Sequence, residues 1–165
     1  MNLEVGRTLV HPRHGAVSVT ERFFREVKGV PTEFVTLTTL TNPMTISVPV
    51  DNVEMIGIRE LLGAEQVDEV LAVLVHSDED FSGNWSRRFK RYEELLASSD
   101  LRHTAHVVHN LWTRQETTGI SPGEKRLLQK AMSFLTEELA QNEGIGDREA
   151  AEQRIGAALN TALGR

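Results

Sequence analysis

Apolar and polar residues alternate along the first third of the chain with a period of two. The alternation is clearest in Val17–Thr20, Phe34–Thr38 and Met44–Val48, and it is typical of strands with one buried face. It predicts about five short strands, and we expect so small a sheet to close into a barrel with at least one edge still available. Glycine, proline and asparagine mark the intervening turns: residues 12–15, Lys28-Gly29 and Asn42-Pro43.

From about residue 59 the apolar period becomes that of a helix, and about five helices are predicted. Asn84 is the expected N-cap of the second helix, and Ser121-Pro122-Gly123-Glu124 is a capping box that begins the fourth. The fifth is expected over residues 147–163. Apolar residues at helical spacing predict the core: Val67, Val70, Leu71, Leu74, Phe89, Tyr92, Leu96, Leu101, Ala105, Val108, Trp112, Leu128, Ala131, Leu135, Leu139, Ile155, Ala158, Leu159 and Ala162.

The change of period predicts an α+β protein of two domains. Residues 1–57 are expected to form a small β-barrel, and residues 58–165 an all-α bundle of about five helices. The boundary lies near Gly57, where strand-like alternation gives way to helical spacing.

Composition narrows the function classes. The chain has 165 residues, a formal net charge of −6 and no cysteine, so disulfides, thiol catalysis and cysteine-ligated zinc are excluded. The start, Met1–Arg7, lacks the features of a signal peptide, and no apolar stretch is long enough for a membrane span. We expect a cytoplasmic monomer, without membrane contact, whose contact with nucleic acid is local.

The segment Asn84–Arg91 places several cations around a tryptophan in this acidic chain. Clustered cations are typical of a nucleic-acid surface, and an apolar side chain among them can enter between base steps from the minor groove. Trp85 also continues the apolar stripe of its helix, which favours a core position. Its place in the first turn allows it to protrude past the bundle. The expected DNA-binding cations of this helix are Arg87, Arg88, Lys90 and Arg91.

A second basic patch opens the fourth helix, with Lys125, Arg126 and Lys130. Alone it is typical of a solubilising helix face, but beside the first patch it favours a continuous DNA surface. No phosphate-binding glycine loop, zinc-binding histidine pair or nucleophile elbow is present. His103, His106 and His109 recur every third residue, which carries them around the helix rather than along one face. We therefore expect no catalytic residue, metal, cofactor or small-molecule substrate.

The ordered motifs resemble the CarD family of bacterial transcription regulators that bind RNA polymerase, over essentially the whole chain. The motifs are Val5-Gly6, His11–Gly15, Val48–Asn52, Gly57–Arg59, Asn84–Lys90, Leu111-Trp112 and Ser121–Arg126.

The resemblance implies an N-terminal Tudor-like barrel that docks on the polymerase β subunit by strand addition at an edge. It also implies a helical domain that contacts promoter DNA at the upstream edge of the transcription bubble, independently of the base sequence. Trp85 matches the family's minor-groove wedge, and Arg87, Arg88, Lys90, Lys125 and Arg126 match its basic stretches. The expected localisation is the cytoplasm, at the nucleoid through polymerase.

On the barrel, Arg25 matches a basic position implicated in docking. Ser47 stands where relatives commonly carry arginine, and His11 where tyrosine is frequent. The serine at position 47 implies either weaker affinity for polymerase or a polymerase surface that has changed together with this residue.

The resemblance as a whole implies that the chain stabilises the promoter open complex. The alternative is a free-standing DNA-architectural protein that acts without polymerase.

Overall fold

The computed structural model describes residues 1–165 and separates them into two compact units, Met1–Leu61 and Leu62–Arg165. The division falls slightly beyond the boundary expected near residue 57. The reason is a short strand, Arg59–Glu60, that pairs with the first strand of the sheet and so belongs to the first unit. None of the helices has the length and apolar character that crossing a membrane requires.

The first unit is a five-stranded antiparallel sheet in the order β4-β3-β2-β1-β5. This confirms the predicted Tudor-like N-terminal fold. A 3₁₀ turn, Val50–Asn52, and a one-turn helix connect β4 to β5. The elements are β1 Thr8–His11, β2 Gly15–Val27, β3 Val30–Thr39, β4 Thr45–Pro49, α1 Val53–Ile56 and β5 Arg59–Glu60.

The hairpin of β2 and β3 is longer than the expected short strands. The strands have 13 and 10 residues, and a β-bulge between Val19 and Glu21 shifts their register part of the way along. At the tip, Lys28 and Gly29 both have positive φ, 53° and 79°. Two positive φ values match the type I′ turn, whose twist suits a two-residue hairpin. The turn predicted at Lys28-Gly29 is confirmed.

The inner face of the sheet forms the core of the first unit, and its end strands are left unpaired with each other. β4 bonds only to β3, and β5 only to β1. The outer edge of β4 is therefore open, as the sequence led us to expect. The buried core residues are Leu3, Leu9, Val17, Val19, Val35, Leu37, Val48, Val53 and Ile58.

The second unit consists of five helices, which confirms the predicted helical region. Four of them begin at a side-chain cap: Asn84, Asp100, Ser121 and Asp147 each accept a hydrogen bond from a backbone N–H of the first turn. The caps predicted at Asn84 and Ser121 are confirmed. The helices are α2 Ala64–Val75, α3 Trp85–Ala97, α4 Leu101–Thr117, α5 Pro122–Ala140 and α6 Arg148–Ala162.

A single core holds these helices together, and most predicted core positions are buried in it. Trp112 is an exception: it was expected to be buried, but it is only half-buried. It lines an open cavity of about 710 Å³ together with Leu128 and Met132. Leu71 and Phe89 are also half-buried. In each of these helices the side chains at the margin of the apolar stripe lie at the rim of the core.

Candidate nucleic-acid interface

The start of α3 is fixed by Gly83 and Asn84. Gly83 has a φ of +105°, which a residue with a side chain adopts only with strain. Asn84 follows in extended conformation, and its Oδ1 accepts a hydrogen bond from the N–H of Arg87 at 2.9 Å. This cap stops the helix from extending further toward the N-terminus. Trp85 is consequently the first helical residue, at the end of the apolar stripe.

Trp85 is both packed and accessible. Its indole stacks on Phe89, with ring centroids 4.9 Å apart, yet 46% of its surface is exposed. Along the same stripe Tyr92 and Leu96 are buried and Phe89 is half-buried. Exposure thus rises toward the helix start, so the sequence argument for a core position holds for Tyr92 and Leu96 but not for Trp85.

The indole is also bonded to the start of α5. Its N–H donates to Ser121 Oγ at 3.2 Å and to Glu124 Oε1 at 3.1 Å. Below it, Phe89 lies against Gly123, where an added Cβ would sit 3.4 Å from Cε2 of the ring. Two aromatic residues of α3 therefore meet the first turn of α5.

The cations of α3 differ in how free they are. Arg87 and Lys90 are exposed and belong to no ion pair. Arg88 is half-buried: one Nη donates to the carbonyl of Gly83 at 3.1 Å, and its buried Nε has no hydrogen-bond partner. Arg91 donates through Nε to Glu79 at 2.9 Å and lies 3.6 Å from Glu94. Of the predicted cations on α3, Arg91 is the one already neutralised.

The cations of α5 begin immediately after the contact with Trp85. Lys125, Arg126 and Lys130 are exposed and form no salt bridge. The Lys130 ammonium lies 5.8 Å from the ring centroid of Phe134, within the range of a weak cation–π contact. Because Trp85 joins the first turns of α3 and α5, the two basic segments begin on neighbouring helix starts.

A hydrogen-bonded network joins Tyr92 of α3 to two residues of α4. One of them, Arg114, is a cation that the sequence did not indicate. The hydroxyl of Tyr92 donates to Asn110 Oδ1 at 2.5 Å, and Arg114 Nε donates to the same oxygen at 3.1 Å. Burial raises the pKa of Tyr92, and the charges of Arg114 and Arg88 oppose that rise. Asn110 and Arg114 are spaced at i and i+4, but nothing in that spacing links them to Tyr92 on another helix.

In the first unit, Arg25 and Ser47 lie on the outward face of the sheet. Arg25 is exposed, and its guanidinium carbon is 4.6 Å from the centroid of the Phe34 ring. Ser47 is exposed on the open strand β4, and its Oγ shares a hydrogen bond with the Oγ1 of Thr36 at 3.0 Å. The Arg25 charge therefore stands on an aromatic support, whereas position 47 carries only a hydroxyl.

The histidines have local partners and do not form a metal centre. His103 and His106 each place Nδ1 2.6 Å from a serine hydroxyl, that of Ser98 and of Ser77. His109 bonds through Nδ1 to the carbonyl of Leu74 at 2.8 Å. No group of three or more histidine or acidic residues is arranged to hold a metal ion.

Known proteins match both parts of the chain. Residues 3–62 match the family model "CarD-like/TRCF RID domain", and residues 69–155 match "CarD, C-terminal domain". A Bacillus subtilis (strain 168) protein named "Putative transcription factor YdeB" is 23% identical over 149 residues, which are 88% of this chain and 95% of that protein.

One solved structure that matches the chain is the solution NMR structure of the N-terminal domain of Myxococcus xanthus CarD. Its sequence identity to this chain is 32% and the TM-score is 0.32. The match covers 36% of this chain and 79% of that one.

The half-buried His106 makes the stability of the helical unit depend on pH. Burial lowers its pKa below the ordinary value, with Glu79 and Asp78 opposing. As pH falls through about 6.5 the unfolded chain takes up a proton that the folded state resists. The free energy of unfolding therefore falls with pH, and His106→Gln should reduce that fall.

Urea titrations followed by tryptophan fluorescence measure this effect in the helical unit, because Trp85 and Trp112 both belong to it. Wild type and His106→Gln are compared at about pH 7.5 and about pH 5.5, which lie above and below the ordinary histidine pKa respectively. Equal losses in the two proteins would contradict the assignment to His106.

Proposed function

The chain belongs to the CarD family, and from this premise we propose that it binds the β subunit of RNA polymerase and stabilises the promoter open complex. It is a CarD-type transcription factor, and such factors are not enzymes. The N-terminal unit makes the polymerase contact. The helical unit contacts DNA at the upstream edge of the transcription bubble, independently of sequence.

The observation that carries the DNA part of this proposal is the position of Trp85. The half-exposed indole contacts the first turn of α5, and exposed cations follow it on both helices: Arg87 and Lys90 on α3, Lys125 and Arg126 on α5. Cations beside the indole can hold the phosphates of both strands while the ring enters between base steps. Arg88 and Lys130 extend this surface, and Arg91 contributes less because Glu79 neutralises it.

Insertion of the indole favours the open promoter because its base pairs are already partly unstacked at the edge of the bubble. Separating a stacked base step costs a few kcal/mol in intact duplex, and less where the duplex is already opening. The indole therefore binds the open promoter more tightly than the closed one, and a ligand shifts an equilibrium by its differential affinity. A difference of about 1.4 kcal/mol would raise the open-to-closed ratio tenfold.

Docking on polymerase compensates for the weak affinity of this acidic chain for DNA. With a net charge of −6, the protein should bind duplex weakly when alone, since non-specific affinity comes mainly from phosphate neutralisation. The open edge of β4 offers backbone groups for strand addition, and Arg25 provides a nearby charge. Strong binding to duplex in a gel shift without polymerase would instead support the architectural alternative.

Replacing Trp85 by alanine should remove most of the open-complex stabilisation while leaving polymerase binding nearly intact. The measurement is the lifetime of the open complex formed with cognate polymerase, with and without each protein. We expect the Trp85→Ala lifetime to approach the value without the protein. Thermal melting and binding to the isolated β lobe are the controls, and a folded variant that still extends the lifetime fully would refute the wedge.

Replacing Lys125 and Arg126 by glutamine should weaken DNA binding without abolishing the fold, because both are exposed and unpaired. Each phosphate contact contributes about −0.9 to the slope of log affinity against log salt. The double variant should therefore have a slope shallower by roughly 1.8 on fork-junction promoter DNA. Arg154→Gln on α6, an exposed cation outside both basic segments, should leave the slope unchanged. An unaltered slope in the double variant would exclude both contacts.

Reversing the charge of Arg25 should weaken capture by the polymerase β lobe and leave DNA contact unchanged. Arg25→Glu is compared with wild type in a pull-down on the isolated lobe and in binding to fork-junction DNA. Equal capture of the two proteins would rule out a docking role for Arg25. Ser47→Arg, tested beside it, separates the two readings of Ser47: tighter capture indicates a missing contact, and unchanged or weaker capture indicates an altered partner surface.

A further inference from the structure

The capping box of α5 also accepts the indole N–H of Trp85, which the cap itself does not need. Ser121 Oγ accepts the N–H of Glu124 at 3.2 Å, and Glu124 Oε1 accepts the N–H of Ser121 at 3.1 Å. These two bonds complete the box. The indole N–H of Trp85 then donates to both acceptors, at 3.2 and 3.1 Å. A tryptophan has no other polar group, so its whole hydrogen-bonding capacity is directed at this cap.

Glu124 is placed unusually for an acidic residue in a helix start. Only 3% of it is exposed, and besides the indole and the backbone N–H it accepts the hydroxyl of Ser121 at 2.9 Å. A buried carboxylate needs such donors to offset its loss of hydration. The indole both supplies one of them and helps to cover the charge. The indole N–H is thus shared between Ser121 Oγ and Glu124 Oε1, two acceptors that the cap holds in place.

The indole is restrained a second time by its ring. It stacks on Phe89 with an interplanar angle of 23°, and Phe89 in turn lies against Gly123 of the same capping box. The N–H edge of the indole is thus bonded to the start of α5 and one face rests on Phe89, while 46% of the side chain stays accessible. Lys125 and Arg126 follow Glu124 directly, so the same contact sets the position of the indole relative to those charges.

We propose that Ser121 and Glu124 are positioning residues for Trp85, which hold the indole in the orientation that enters the DNA. This inference rests on the proposed function. A ring already fixed before binding loses less conformational freedom when it inserts, so the contact favours insertion without touching DNA. Removing the contact should leave Trp85 present but mobile, and insertion should become less favourable.

The test uses the full chain with Trp112→Phe, so that Trp85 is the remaining tryptophan. Glu124→Ala should increase both the fast component of the anisotropy decay and acrylamide quenching of Trp85. It should also shorten the open-complex lifetime severalfold. Glu124→Gln keeps an acceptor oxygen but not the charge, and should give intermediate values in all three measurements. The intermediate effect keeps the proposal testable if Glu124→Ala does not fold.

The matched control is Asp147→Ala on α6. Asp147 caps its helix through a bond to the N–H of Ala150 at 2.8 Å, so the variant loses a cap but no contact with Trp85. Its Trp85 fluorescence and open-complex lifetime should equal those of the parent. If it mobilised Trp85 as Glu124→Ala does, general helix destabilisation would explain the result and the proposal would fail.

Two further outcomes separate this proposal from the proposed function. If Trp85→Ala shortens the open-complex lifetime but Glu124→Ala does not, the positioning role is refuted and the wedge stands. If Trp85→Ala has no effect on lifetime, the wedge itself is refuted. Positioning also predicts non-additivity: the double variant Trp85→Ala/Glu124→Ala should have the lifetime of Trp85→Ala alone, and a further decrease would contradict it.

Discussion

The carboxylate of Glu124 joins the first turns of α3 and α5, and the proposed DNA surface depends on this contact. It completes the cap of α5 and receives the indole N–H of α3. Without it, the indole of Trp85 would keep only the bond to Ser121 Oγ and the stacking on Phe89. A buried carboxylate can therefore support a DNA-binding surface, provided that the indole shields its negative charge from the phosphates.

Charge is distributed so that only part of the basic sequence is available. Glu79 neutralises Arg91, and the carbonyl of Gly83 anchors one end of Arg88, whereas Arg87, Lys90, Lys125 and Arg126 are exposed and unpaired. In a chain of net charge −6, these cations act over a short range, since salt screens exposed charges beyond about 10 Å. A partner must therefore bring the DNA close before they contribute. This requirement agrees with a separate unit for polymerase docking.

Local physics explains which features the sequence predicted. The caps at Asn84 and Ser121, the glycine turn after Lys28 and the helical core stripes each depend on residues a few positions apart, so their spacing is visible in the chain. The bond from Trp85 to Glu124 and the network of Tyr92, Asn110 and Arg114 join residues on different helices, which periodicity does not relate. The β-bulge near Val19 likewise depends on strand pairing. The sequence predicted short strands instead of the long β2–β3 hairpin because strand pairing is not visible in the spacing of residues along the chain.

The open edge of β4 also has a consequence for solubility and partner choice. An exposed strand can pair with another copy of itself, which is a route to aggregation. Here the strand has five residues, and prolines flank or end it at Pro43 and Pro49, where no backbone N–H is available to donate. A partner strand can thus form only a brief ladder on it. Self-pairing gains little from so short an edge, and a partner that docks there has to add side-chain contacts of its own.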